Sequence, residues 1–280
     1  MRRIFVVIGF LLAFSCNRSV IQDDSAPTRL VTLGGTITEI TSALGCQHLI
    51  VGRDVTSVYP ESIDTINNLG HRSQISLEGI LSSKPTIIIS EIDYLSADMK
   101  RTLVNDYSID VVEVENNLST SSTQLMIKRI GEILDKSDKA DSIINQLSHL
   151  PVVKESPDDN MPSVLFVYAR GAGSMQVAGQ ETFADALIKL AGAKNAASNI
   201  KGFRPLSSEA LITINPDFLL FFTSGYESLG GEKGIQKLTG VKETNAGKNS
   251  AFIHNDASLL GNFGPRLHLA VAWLESQIKQ

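Results

Sequence analysis

The side chains best suited to holding a ligand lie in short glycine-bearing stretches. They are Gly70-His71-Arg72, Tyr168-Ala169-Arg170-Gly171, Gly202-Phe203-Arg204 and Gly264-Pro265-Arg266, with Tyr59 and Tyr226 in comparable settings. Imidazole and phenol oxygen are metal ligands, and guanidinium forks pair carboxylates through two parallel hydrogen bonds. Aromatic rings offer faces to a flat molecule, and glycines let the backbone approach it closely. One such loop residue by itself is more often solvated surface, so the weight rests on their matched placement. This is an inventory for binding rather than turnover. The chain has no Gly-x-Ser-x-Gly, no Gly-Lys-Ser/Thr phosphate loop and no His-Glu-x-x-His. Its histidines, at 48, 71, 149, 254 and 268, lack metal-site spacing, and Gly171-Ala172-Gly173 lacks the rest of a dinucleotide fingerprint.

The matched placement comes from an internal echo. Ser76-Leu-Glu78-Gly-Ile-Leu81-Ser-Ser-Lys-Pro85 aligns with Ser207-Ser-Glu209-Ala-Leu-Ile212-Thr-Ile-Asn-Pro216, and each segment leads into an apolar strand. His71-Arg72 lies just before the first unit and Phe203-Arg204 just before the second. Strands are predicted at Leu30–Leu33, Leu49–Val51, Thr86–Ser90, Val111–Val114, Val164–Ala169, Phe218–Phe222 and Ala251–His254. Unbroken apolar runs alternating with helices imply mainly parallel sheets covered on both faces. The expected fold class is therefore α/β, as two Rossmann-like lobes. Ligands of such lobes sit at the carboxyl ends of the strands, in the crevice between them. Thr36-Ile-Thr-Glu39 and Thr182-Phe-Ala-Asp185 have capping-box spacing, which gives Glu39 and Asp185 structural roles.

Between the lobes, Ser119–Leu150 carries apolar residues at Leu125, Ile127, Ile130, Ile133, Leu134, Ala140, Ile143, Ile144 and Leu147, with hydroxyls before it and Pro151 after it. Glu132→Lys136 and Asp135→Lys139 are spaced for pairing on its exposed side. This predicts one bridging helix, spanning roughly 40 Å at ~1.5 Å per residue. The expected divisions are residues 1–15, 16–28, 29–118, 119–150 and 151–280.

Residues 1–15 read as an export signal, with Arg2-Arg3 before an apolar run too short to span a bilayer. Ser15-Cys16 at its end resembles a bacterial lipoprotein cleavage site, which makes Cys16 the expected lipidated residue and the molecule a membrane-anchored, exported one. Cleavage removes two arginines and no acid, leaving a net charge more negative than the −5 of the whole chain. An acidic surface argues against nucleic-acid partners and against electrostatic membrane binding. Cys46, the other cysteine, is expected as a small buried thiol.

RLVTLGGTITEITSALG, VGRDVTSVYP, LGHRSQISLEGILSSKPTIII, QVAGQETFADALIKLAGAKN and the late Gly-Pro-Arg resemble one family across residues 29–279. It is the class of ABC-importer substrate-binding proteins that take up haem, vitamin B12 and ferric siderophores, and the haem-binding branch is the most similar. The resemblance implies two lobes bridged by a single long helix, little movement on binding, and no catalysis. In that branch a tyrosine following the glycine at Gly70 coordinates iron, and here His71 occupies the position. His71 is thus the expected axial ligand of haem as the carried cargo, with Tyr59 or Tyr168 as the competing ligand. Arg72, Arg204 and Arg266 are expected to meet the propionates, with Phe203, Tyr59 and Tyr226 near the ring faces and Tyr168 and Arg170 lining the crevice. Glu78 and Glu209 are implied to dock on arginines of a permease dimer, which works with its ATPase. A corrinoid or ferric siderophore on the same scaffold is the alternative.

Overall fold

A computed structural model of the chain describes residues 27–151 and 160–279; Cys16 and the export signal lie outside the described residues. The first lobe is a four-stranded sheet of β1 (Leu30–Leu33), β2 (Ile50–Arg53), β3 (Ile87–Glu91) and β4 (Asp110–Val114), ordered β2-β1-β3-β4 and parallel throughout. The second holds β5 (Ser163–Ala169), β6 (Met175–Ala178), β7 (Lys194–Asn195), β8 (Phe203–Pro205), β9 (Phe218–Phe222) and β10 (Phe252–Asn255). Its path is β10-β9-β5-β6-β8, with β7 beside β5, and β6 and β8 run antiparallel. The seven predicted strands are all present within a residue or two. β6, β7 and β8 are additions, too short and too polar for their hydrophobic pattern to announce them.

The repeated unit is a structural repeat. Ser76 and Ser207 cap helices Leu77–Ser82 and Ser208–Ile214 by accepting the N–H of Gly79 and Ala210, each at 3.1 Å. Both units then place a left-handed residue, Lys84 (φ 50°) or Asn215 (φ 46°), directly before the proline. A residue with positive φ ends the helix and the proline prevents its resumption, so the next strand starts at the same point in both lobes. Thr182 caps its helix as expected, accepting the N–H of Asp185. Thr36 does not: Gly34 is the N-cap of helix Gly35–Ala43, and Thr36 lies in its first turn.

The single bridging helix is corrected to two, Thr120–Ile133 and Ser137–Leu147. The first ends in a Schellman motif, in which the Lys136 N–H reaches the Gly131 carbonyl at 2.7 Å and the Asp135 N–H reaches that of Glu132 at 3.4 Å. Asp135 occupies the left-handed position, with φ 53°. Gly131 permits the turn, because a Cβ placed there would sit 2.5 Å from the Ala140 Cβ of the second helix. The break also redirects the charges, and Glu132 meets Arg129 at 3.6 Å rather than Lys136. The first helix packs on Gly35–Ala43, and the second packs on the last helix, Leu267–Ile278. One core runs through both lobes and both connecting helices, from Leu30 and Ile37 through Met126, Ile130 and Ile143 to Phe166, Leu220 and Leu274. Lobes that share a core resist independent rotation. Cys46 is buried as expected, and burial pushes its thiol up.

Candidate ligand cleft between the lobes

The carboxyl ends of the central strands open on a cleft of about 400 Å3. Two glycines let the first lobe close its floor. Gly34 has φ 117°, a conformation that disfavours any side chain, and a Cβ on Gly35 would lie 2.7 Å from the Thr56 carbonyl oxygen. The loop after β2 thereby folds against the start of helix Gly35–Ala43. Asp54, fully buried, ties it there. Its carboxylate accepts the Gly34 N–H at 3.2 Å, the Thr56 and Ser57 hydroxyls at 2.5 Å each, and the Tyr94 hydroxyl at 3.0 Å.

The two walls differ in chemistry. Thr56, Glu91, Tyr94 and Asn116 form the first-lobe wall. Burial pushes the Glu91 carboxyl up, a tendency opposed by the Asn116 amide at 3.4 Å, reinforced by the charge of Asp54 and opposed again by Arg72. Burial and the neighbouring Asp54 likewise push the Tyr94 phenol well above its ordinary value. Beside Glu181, whose carboxylate is paired with Lys201 at 2.8 Å, the second-lobe wall presents Phe183 and Phe203. Behind them Phe222 stacks on Phe183, with centroids 5.5 Å apart, and Phe166 and Tyr168 meet Phe222 edge-on at 4.9 and 6.2 Å.

At the junction, Glu39 from the first lobe is almost wholly buried and clamps the Gly264-Pro265-Arg266 turn of the second. It accepts the Arg266 N–H at 3.2 Å and its guanidinium at 2.8 Å, with the Asn262 amide at 3.3 Å. The guanidinium also lies over the Tyr59 ring, 3.4 Å from its centroid. Glu39 therefore has a structural role, as a clamp between lobes rather than as half of a capping box.

Of the residues singled out in the sequence, Phe203 lines the cleft. Tyr168 stands behind it at 6.5 Å and carries Arg170, whose Nε donates to the phenol oxygen at 2.8 Å. Arg72 reaches the cleft indirectly, with its guanidinium 5.1 Å from the centroid of the Tyr94 ring. His71 is exposed, caps the short turn Arg72–Gln74 and does not line the cleft; its Nδ1 lies 3.1 Å from the Ser73 hydroxyl. Tyr59 and Arg266 are together at the junction, where Arg266 is committed to Glu39. Arg204 pairs with Val177 across β6, while Phe203 pairs with Ala178. Alternation therefore puts Arg204 on the opposite face of β8 from Phe203. Tyr226 stacks on His254 at 4.0 Å and packs into the outer core of its lobe, away from the cleft. Sequence reasoning missed Glu91, Tyr94 and Asn116. The signal was available, since Glu91 ends β3 and Tyr94 and Asn116 follow β3 and β4, whose carboxyl ends point at the crevice as those of β1 and β2 do.

The profile of the periplasmic binding protein family matches residues 30–259. The chain belongs to that family. It is 28% identical, over 90% of its own length and 80% of the other's, to a Bacillus subtilis (strain 168) protein called an uncharacterized ABC transporter substrate-binding lipoprotein, YvrC. Among solved structures it resembles the apo periplasmic heme-binding protein RhuT of Roseiflexus sp. RS-1, with 32% identity and a TM-score of 0.80 over 90% of this chain and 98% of that one. Its fold also matches the periplasmic heme-binding protein HutB of Vibrio cholerae, with 25% identity and a TM-score of 0.80 over 91% of this chain and 100% of the other. The family is one of binding proteins, in keeping with a cleft that holds aromatics and hydrogen-bonding groups.

Proposed function

We propose that this chain is the substrate-binding subunit of an ABC importer and that it carries haem in the inter-lobe cleft. The observation that carries the reading is the Phe183–Phe203 wall, an apolar surface of two rings 6.3 Å apart and tilted by 37°, facing a cleft in a molecule 32% identical to a heme-binding relative. The shared core and the Glu39–Arg266 clamp keep the lobes at one spacing, so the slot is formed before the ligand arrives. His71 is the proposed axial ligand. Ligation through Nε2 would move the ring proton to Nδ1, which would then donate to the Ser73 hydroxyl in place of capping the Ser73 N–H. One observation favours Tyr168 instead: the Arg170 guanidinium that donates to its oxygen would stabilise a phenolate on ferric iron.

Glu78 and Glu209, exposed in the first turns of the repeated helices and without an ion pair among the described residues, are the proposed contacts to permease arginines. Cys16 is the proposed lipid anchor of an exported, periplasmic, membrane-anchored protein, and Cys16→Ser should release the protein from membranes. Hemin added to purified protein should produce a Soret band. His71→Ala should shift its maximum and speed haem loss to a scavenger by roughly tenfold, the worth of about 1.4 kcal/mol. If Tyr168→Phe produces those changes and His71→Ala does not, the ligand is Tyr168. Absence of any Soret band from the wild type removes the haem reading.

A further inference from the structure

The chemical asymmetry of the cleft constrains how a charged ligand can lie in it. Glu91 faces the cleft from the end of β3, and its side chain has one hydrogen-bond partner among the described residues, Asn116 at a long 3.4 Å. Asp54 stands behind it, held by four donors and without a cation. Neither carboxylate has an ion pair among the described residues. The nearest compensating charge, Arg72, lies across the Tyr94 ring and donates to the Asp93 carbonyl. The opposite wall's lining carboxylate, Glu181, differs in being paired, with Lys201 at 2.8 Å. Phe203 and Phe183 cover much of the rest, and Arg170, which follows β5 and lies over the Tyr168 ring, stands outside the cleft lining. The Nε of Arg170 is used by Tyr168, which leaves its two terminal nitrogens for a carboxylate. Arg204, on the reverse face of β8, cannot share that task.

We propose that Glu91 is a specificity-determining residue of the cleft, one that bars ligand carboxylates from the first-lobe wall and turns the propionate edge of a porphyrin toward Arg170. The inference deepens the haem reading and rests on it. A propionate set against Glu91 would place like charges together in a partly desolvated slot, where their repulsion is screened far less than in water. The same propionates at Arg170 gain a bidentate partner. The upward push on the Glu91 carboxyl, set first by burial and only partly offset by Asn116 and Arg72, fits a group without an ion pair among the described residues.

Hemin and hemin dimethyl ester, which lacks the two negative charges, separate this effect from general packing. Glu91→Gln is isosteric and retains an acceptor for Asn116, and an unchanged thermal melt would show that the fold is intact. Glu91→Gln should bind hemin about three- to tenfold more tightly than wild type, a gain of up to about 1.4 kcal/mol, while the ester is held equally by both. Arg170→Ala should weaken hemin by roughly tenfold and the ester by less, the difference between the two being the share of the propionates. Equal hemin affinity in wild type and Glu91→Gln, or an equal gain for the ester, overturns the role of Glu91 while the haem reading stands. A wild type that binds the ester but not hemin shows that neither wall accepts propionates. Failure of the wild type to bind either porphyrin removes the haem reading and this inference with it.

Discussion

The two lobes share a scaffold and differ where they meet the ligand. Each has a serine-capped helix, a first-turn glutamate, a left-handed residue, a proline and a parallel strand, in that order. Even the residue after the proline repeats its task. Thr86 Oγ1 accepts the Arg29 N–H at 3.0 Å just before β1, and Asp217 Oδ2 accepts the Ser163 N–H at 2.9 Å at the start of β5. The crevice side shows no such symmetry. The first lobe offers carboxylates and amides, while the second adds two antiparallel strands that carry Phe203 to the cleft. The repeated unit makes the outward faces alike, where two helices are proposed to meet two permease subunits. The inward walls differ, as a ligand without two-fold symmetry allows.

The largest expected effect tests the preserved face. Glu78→Arg with Glu209→Arg should abolish uptake in cells while hemin binding to the isolated protein persists. Either single reversal should reduce uptake to a similar degree. A strong effect from one and none from the other would break the equivalence of the lobes.

The contact between the lobes comes next. Arg266→Ala leaves the Glu39 carboxylate buried without its cation, which should cost about 3–5 kcal/mol of stability in urea titration. Glu39→Gln with Arg266→Met removes both charges and should recover most of that loss. No recovery would mean that the turn needs its hydrogen bonds to Glu39 more than its charge balance.

A smaller change tests the connection. In a continuous exposed helix Gly131→Ala would stabilise by roughly 0.5–1 kcal/mol. Against Ala140 in the broken arrangement it should instead destabilise by about 1–3 kcal/mol. The sign of the change in the denaturation midpoint decides between the two geometries.

The smallest effect separates the paired strand ties. Burial alone would raise the Asp217 carboxyl, but the Ser163 N–H and hydroxyl, the Asn245 amide and the charge of Lys194 outweigh it and hold the group below its ordinary value. A depressed carboxyl contributes stability that is present above the unfolded value of 3.8 and is lost as pH falls through the lower folded value. Asp217→Asn should therefore cost about 1 kcal/mol at neutral pH and flatten the loss of stability in acid. Thr86→Val should lower stability by a similar amount at every pH. Hydrogen exchange at Ser163 and Arg29 reads the two ties separately, and an acid-sensitive Arg29 amide would contradict their difference in charge.

The sequence by itself determined whatever depends on local pattern. Apolar runs such as Ile87-Ile-Ile and Phe218-Leu-Leu-Phe-Phe can satisfy burial on both faces only as interior parallel strands. Ser76, Ser207 and Thr182 cap helices through bonds to residues three positions on. The repeat was legible for the same reason, since capping serine, first-turn acid and proline act within one helix–strand unit. Tertiary structure decided what depends on partners far along the chain. Gly131 is an ordinary weak point in a helix until Ala140 packs on it, and Asp135 gives no compositional warning of a left-handed turn. Arg266 reads as a free guanidinium until Glu39, from the other lobe, takes it. Phe203 and Arg204 read as neighbours in one loop until pairing with β6 turns them to opposite faces. Glu91 becomes a cleft wall because β3 ends beside Gly34, whose missing Cβ leaves the space that the Glu91 side chain occupies.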